Sequence, residues 1–137
     1  MHKTLADFIT DARSRVTDVS ADDLAEWLEE RVDELLLIDT REPYEYARSH
    51  IPGALLIPRG LIESAADPNN ARRVSVLCEA RDKTIVLYCD TGGRSTLAAD
   101  NLQLMGFSRV LNLAGGLKLW DAEDYATESG EYTLPLP

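Results

Sequence analysis

Between positions 85 and 95 the chain reads Ile-Val-Leu-Tyr-Cys-Asp-Thr-Gly-Gly-Arg-Ser. The apolar run before Cys89 is typical of a strand buried on both faces, as in a parallel sheet. The two glycines allow a tight loop with inward backbone N–H groups, and such groups bind anions. A helix that begins near Ser95 would add its positive N-terminal end. The pattern predicts a nucleophilic thiolate at an anion-binding loop, and a buried, inert thiol is the alternative.

The segments around this loop alternate between strand and helix patterns. Strands are predicted at residues 35–38, 54–57, 84–88 and 109–111. Helices are predicted at residues 4–16, 22–31, 44–49, 60–66, 71–80, 95–105 and 117–121. This alternation indicates an α/β domain with a parallel sheet. Sites in such sheets lie at the carboxyl ends of strands, where this chain places Asp39 and Cys89.

Size and charge narrow the classes of function. The chain has 137 residues, enough for one ordinary domain. Acidic residues outnumber basic ones by 24 to 14, for a net charge of −10. This balance argues against nucleic acid and anionic membranes as partners, because both attract basic surfaces. No apolar run has the length of a signal peptide or a membrane span, so we expect a cytoplasmic protein.

The two cysteines, Cys78 and Cys89, are too few for a disulfide framework. Neither belongs to a CxxC pair, and His2 and His50 are far apart, so we expect no metal site and no cofactor. Cys78 lies on an apolar helical face. We interpret it as a core thiol rather than as a resolving partner for Cys89.

The loop Cys89-x-x-Gly92-x-Arg94-Ser95 resembles the active-site loop of the rhodanese family. Other segments resemble the family's motifs in the family's order, at residues 37–46, 49–54 and 113–120, although Ser49 replaces a glycine. The resemblance implies a rhodanese-like fold, an α/β fold with about five parallel strands and helices on both faces. We divide the chain into an N-terminal helical extension, a rhodanese-like domain and a C-terminal tail, at residues 1–17, 18–122 and 123–137.

The resemblance implies a sulfurtransferase. Cys89 would take sulfane sulfur from thiosulfate or a persulfide and pass it to a thiol or cyanide, and a protein donor or acceptor is also open. The residues expected to hold the sulfur anion are Asp90, Thr91, Gly92, Gly93, Arg94 and Ser95. One alternative is a binding or sulfur-relay module without turnover. Another is a phosphatase or arsenate reductase, but related phosphatase loops have five residues between Cys and Arg, and this loop has four.

Three charged residues, Asp39, Arg41 and Glu45, are expected to support the loop. Arg94 would pair with Glu45 or with Asp39. Arg41 either adds positive potential or makes a weak surface salt bridge. Asp90 stands where thiosulfate-preferring members often carry basic residues, and its carboxylate repels a dianionic donor by about 1 kcal/mol. We therefore expect weak thiosulfate activity and a preference for less charged persulfides or a protein partner.

Overall fold

The computed structural model describes residues 1–30 and 34–137. Within these residues, five strands form one sheet: β1 (Thr17–Val19), β2 (Leu35–Asp39), β3 (Leu55–Leu56), β4 (Thr84–Tyr88) and β5 (Arg109–Leu113). Their order is β1-β5-β4-β2-β3, and every pairing is parallel. The predicted α/β fold with a five-stranded parallel sheet is confirmed.

Seven α-helices lie in the same described ranges. They are α1 (Leu5–Arg13), α2 (Ala21–Glu29), α3 (Pro43–Arg48), α4 (Ile62–Ala66), α5 (Ser75–Cys78), α6 (Gly93–Leu104) and α7 (Gly116–Ala122). A 3-10 turn, Arg59–Leu61, leads into α4. None of the helices in the described ranges is long and apolar enough to cross a bilayer.

The central strand β4 shows how the sheet is covered on both faces. Side chains alternate between the faces of a strand. Ile85 and Leu87 pack in a cluster with residues of α4, α5 and α6, whereas Val86 and Tyr88 pack in a second cluster with residues of α2 and α7. All four side chains are fully buried. Burial on both faces accounts for the continuous apolar run, which leads directly into Cys89.

Several predicted boundaries differ from the observed ones. The predicted helix at 71–80 is wrong over its first half, because only Ser75–Cys78 is helical. Asn70 Oδ1 instead accepts a hydrogen bond from the backbone N–H of Arg72, so a local turn replaces the first helical turn. Helix α6 begins two residues earlier than predicted. Arg31, the expected last residue of the second helix, lies outside the described residues.

Strand β1 has no predicted counterpart. It has three residues, of which only Val19 is buried, so it lacks the apolar run that marks β2 and β4. Its strand structure comes from parallel pairing with β5, in which Asp18 is in register with Asn112. The pairing places an exposed edge residue beside a buried polar residue of β5.

The two ends of the chain pack against the domain. Helix α1 begins with a reciprocal capping box between Thr4 and Asp7, and it packs on α6. After α7, the chain returns to α3: Glu128 and His50 exchange two backbone hydrogen bonds of 2.9 Å, and Gly130 N donates to Ala47 O at 2.9 Å. The C-terminal segment therefore covers one side of α3.

Candidate active site

Cys89 follows β4 directly and lies at the start of α6. Its side chain is 1% exposed, and its Sγ accepts a hydrogen bond of 3.1 Å from the backbone N–H of Gly92. Gly92 has φ +113°, a backbone conformation that favours glycine. The amides of Gly93 to Ser95 are the first of α6 and have no intrahelical acceptor. The sulfur thus lies at the N-terminus of a helix, where an anion is stabilised.

A row of polar side chains connects the sulfur to the edge strand β1. Ser95 Oγ lies 3.4 Å from Cys89 Sγ and 2.5 Å from Asn112 Oδ1. Asn112 Nδ2 donates to Asp18 Oδ1 at 3.0 Å. Asn112 and Asp18 were not among the predicted site residues. The only signal for Asn112 is its place near the end of a parallel strand, and β1 has no apolar pattern that could have pointed to Asp18.

Helix α7 holds the loop from the opposite side. The backbone N–H groups of Leu117 and Lys118 donate to Cys89 O at 2.9 Å and Asp90 O at 3.0 Å. A Cβ on Gly116 would lie 2.6 Å from Cys89 O and 2.5 Å from Asp90 O, and Gly116 has φ +60°. Only glycine allows this close approach without strain. These contacts occupy two loop carbonyl groups as acceptors, which therefore do not compete with the sulfur for the loop amides.

Arg94 points from the loop toward α3. Its two terminal nitrogens donate to Glu45 Oε1 at 2.6 Å and Oε2 at 2.9 Å, the paired geometry of a strong guanidinium–carboxylate contact. Of the two partners that the sequence left open, Glu45 is the one that Arg94 contacts. The hydrogen bond from Arg94 holds the pKa of Glu45 below its ordinary value of 4.5, although burial acts in the opposite direction.

Asp39 and Arg41 form a separate buried pair at the end of β2. Arg41 Nε and Nη2 donate to the two carboxylate oxygens of Asp39 at 3.0 and 2.7 Å, and Nη2 also donates to Ser49 O at 2.7 Å. Of the two roles left open for Arg41, the surface salt bridge is wrong, because Arg41 is only 4% exposed. Burial lowers the pKa of Arg41, but the bonds and charge of Asp39 outweigh it and the pKa is raised. Asp39 thus balances the positive charge of Arg41.

Solvent exposure differs along the loop: two of its residues are exposed, and a third is covered by a side chain of α1. Asp90 and Thr91 are exposed. At Gly93, by contrast, Ile9 Cδ1 of α1 lies 3.0 Å from the position that a Cβ would occupy. Asp90 and Thr91 are therefore the exposed side chains of the loop that follow Cys89 directly in the chain.

Cys78, the second cysteine, is only partly buried and donates to Ala65 O at 3.4 Å. It lies beside the buried Leu77 at the end of α5. Both cysteines are free thiols. Among the described residues, no group of three or more His, Cys, Asp or Glu side chains could hold a metal ion.

A cysteine directly after a central parallel strand, with its sulfur at a helix N-terminus, places the chain in a class of α/β domains that carry a cysteine in a loop suited to an anion. Comparison with known families narrows the class. The family model for the rhodanese-like domain matches residues 20–123. The chain belongs to the rhodanese-like domain family.

Curated relatives and solved structures show similarity over most of the chain. A sulfurtransferase from Allochromatium vinosum is 36% identical over 77% of this chain and 88% of its own length. The probable adenylyltransferase/sulfurtransferase MoeZ from Mycobacterium tuberculosis is 40% identical over 72% of this chain, but the match spans only 23% of MoeZ. A Rhodopseudomonas palustris structure, described as a possible tyrosine phosphatase of unknown function, superposes with a TM-score of 0.87 at 26% identity, covering 93% of this chain and 96% of its own.

Proposed function

We propose that this protein is a sulfurtransferase that carries sulfane sulfur as a persulfide on Cys89. One observation carries the proposal: Cys89 Sγ accepts the Gly92 N–H at the N-terminus of α6, where a sulfur anion is stabilised. The names of the two relatives, both described as sulfurtransferases, support the same chemistry. The site needs no metal or cofactor for it.

In the first half-reaction, the Cys89 thiolate attacks the sulfane sulfur of thiosulfate or of a small persulfide. A bond forms between Sγ and that sulfur while the donor's own bond to it breaks. The bonding electrons leave with sulfite or with the donor thiolate, and Cys89 becomes Cys–S–S⁻. The free amides of the first turn of α6 then stabilise the terminal sulfur anion, as an oxyanion hole stabilises oxygen.

In the second half-reaction, a thiolate or cyanide attacks the terminal sulfur. The bond between the two sulfurs of the persulfide breaks, and its electrons return to Cys89 as thiolate. The product is a new persulfide, on a small thiol or on a protein thiol, or it is thiocyanate. Because the two reactants bind in turn, we expect ping-pong kinetics.

Mass spectrometry of the intact protein tests the carrier role. After treatment with a persulfide donor, the protein should gain about 32 Da, the mass of one sulfur atom. Cys89→Ser should gain nothing, and Cys78→Ser should load like the wild type because Cys78 lies on α5, away from the loop. An adduct that persists in Cys89→Ser would contradict the proposal. So would hydrolysis of an aryl phosphate by a protein that takes up no sulfur.

The exposed carboxylate of Asp90 supports a preference for donors with little negative charge. Thiosulfate carries two negative charges, and Asp90 is the exposed residue that follows Cys89 directly in the loop. In Asp90→Arg we expect kcat/KM for thiosulfate to rise about tenfold, while kcat/KM for a neutral persulfide changes little. Asp82→Arg is the matched control, because it makes the same net charge change at an exposed turn before β4. Equal thiosulfate kinetics in Asp90→Arg and wild type would remove the electrostatic basis of this preference.

A further inference from the structure

The hydroxyl of Ser95 lies between two acceptors. Its Oγ is 2.5 Å from Asn112 Oδ1 and 3.4 Å from Cys89 Sγ. A hydroxyl group has a single proton and donates to one acceptor at a time. The distances indicate that the Ser95 hydroxyl donates its hydrogen bond to Asn112 Oδ1 when the sulfur is an uncharged thiol. The thiol can then itself donate to Ser95 Oγ. When the sulfur is negatively charged, it becomes the stronger acceptor.

The orientation of the Asn112 amide follows from its other neighbour. Asn112 Nδ2 donates to Asp18 Oδ1 at 3.0 Å. A carboxylate has no proton to donate, so it requires the NH₂ side of the amide. The carbonyl side of Asn112 must then face Ser95. Because Asn112 is only 3% exposed, its amide has no free access to solvent as another source of partners.

We propose that Asp18 is a positioning residue for the sulfur site: by fixing the Asn112 amide, it keeps the Ser95 hydroxyl on Asn112 until negative charge develops on Cys89. Ionisation of the thiol releases its proton to solvent, and the hydroxyl then turns to Sγ. This turn leaves Asn112 Oδ1 without its donor, which has a cost in a buried site. Asp18 therefore opposes thiolate formation through hydrogen bonds. The inference deepens the proposed function and rests on it only for the role of Cys89 as sulfur carrier.

The substitution Asp18→Asn separates this mechanism from a merely structural role. An asparagine at this position can donate to Asn112 Oδ1, so the Asn112 amide can turn its NH₂ group toward Ser95 Oγ. The hydroxyl proton is then available to the sulfur, and the thiolate should form at lower pH. We expect the midpoint of thiolate formation to fall by about one pH unit. The control variant Asp18→Glu keeps a carboxylate acceptor, so its midpoint of thiolate formation should stay at the wild-type value.

Other charged groups surround the site and could also influence this midpoint. They lie on the loop, on α7, on α3 and at the end of β2: Asp90, Arg94, Lys118, Glu45, Asp39 and Arg41. All of them are unchanged in the variants, so they contribute equally to each measurement. The remaining alternative is the direct electrostatic effect of removing the Asp18 charge.

The experiment is an ultraviolet titration of the thiolate in a Cys78→Ser background, with the Cys89→Ser protein as the blank. Asp18→Asn is measured with Ser95 present and with Ser95→Ala, and Asp82→Asn controls for net charge. We expect the downward shift with Ser95 present and less than about a third of it with Ser95→Ala. An equal shift in both backgrounds would assign the effect to charge alone, and no shift or an upward shift would also overturn the proposal. The titration reports ionisation whether or not Cys89 accepts sulfur, so a failure of the proposed function is seen separately, in the mass measurement.

Discussion

β2 and β4 lie side by side in the sheet, with Asp39 in register with Tyr88; β2 ends in the charged Asp39, and Cys89 follows β4 directly. At the end of β2, Asp39 and Arg41 bind each other, and Ser49 O occupies a further donor of Arg41. After the end of β4, Cys89 Sγ accepts one hydrogen bond from the loop backbone, from Gly92 N–H, and the first amides of α6 have no intrahelical acceptor. One strand end is internally satisfied, and the other retains donors for a ligand.

The contrast shows that residue type and position do not by themselves make a functional site. Both ends combine charged or nucleophilic groups at the edge where parallel sheets place their ligands. They differ in whether their hydrogen-bonding capacity is already used. We therefore interpret the Asp39–Arg41 pair as structural and the Cys89 loop as reactive, and substitutions can test the two assignments separately.

The largest effect on stability is expected for Asp39→Ala. It leaves the guanidinium of Arg41 buried without its partner, which should lower the free energy of unfolding by about 3–5 kcal/mol. Sulfur uptake per folded molecule should stay close to that of the wild type. Urea unfolding and mass spectrometry measure the two quantities. A loss below 1 kcal/mol, or a folded variant that no longer takes up sulfur, would break the distinction between the strand ends.

Gly116→Ala should affect both stability and the site. The added Cβ would meet the carbonyl oxygens of Cys89 and Asp90 at 2.6 and 2.5 Å, and the backbone at φ +60° disfavours alanine. We expect a loss of about 2–3 kcal/mol in the free energy of unfolding, together with slower sulfur uptake. Gly60→Ala is the matched control, because a Cβ there meets nothing within 4 Å. Equal stability and uptake in the two variants would show that α7 does not shape the loop.

Glu45→Gln should have the smallest effect of the three, about 1 kcal/mol, because Arg94 is partly exposed and solvent weakens the pair. Since the folded pKa of Glu45 lies below its ordinary value of 4.5, its stabilisation is complete above that pH and is lost as pH falls through the lowered folded pKa. The stability difference from wild type should thus be constant near neutral pH and disappear in acid. A difference that persists in strong acid would mean that the carboxylate charge is not its source.

The features that could be predicted from the sequence are those formed by residues close together in the chain. β2 and β4 have continuous apolar runs, and the loop residues are consecutive, so the fold class and Cys89 could be found directly. Glu45 could be proposed as the partner of Arg94 only through the family resemblance, because the two residues are 49 positions apart in the sequence. The prediction of the 71–80 helix was wrong in its first half because the side chain of Asn70 forms a turn there, although the spacing of apolar residues is helical. β1 and Asp18 depend on pairing with β5, for which three mostly exposed residues carry no pattern.

The contact between Ile9 and Gly93 bears on which residues are needed to form the complete loop environment. The family match begins at residue 20, after α1 and β1, yet Ile9 lies against the backbone of the reactive loop. A chain trimmed to the matched range would retain every recognised motif, but it would lack Ile9 and so expose the loop at Gly93. The range matched by the family model is therefore shorter than the structural unit around the loop, because the nineteen residues before the match include one that contacts the loop.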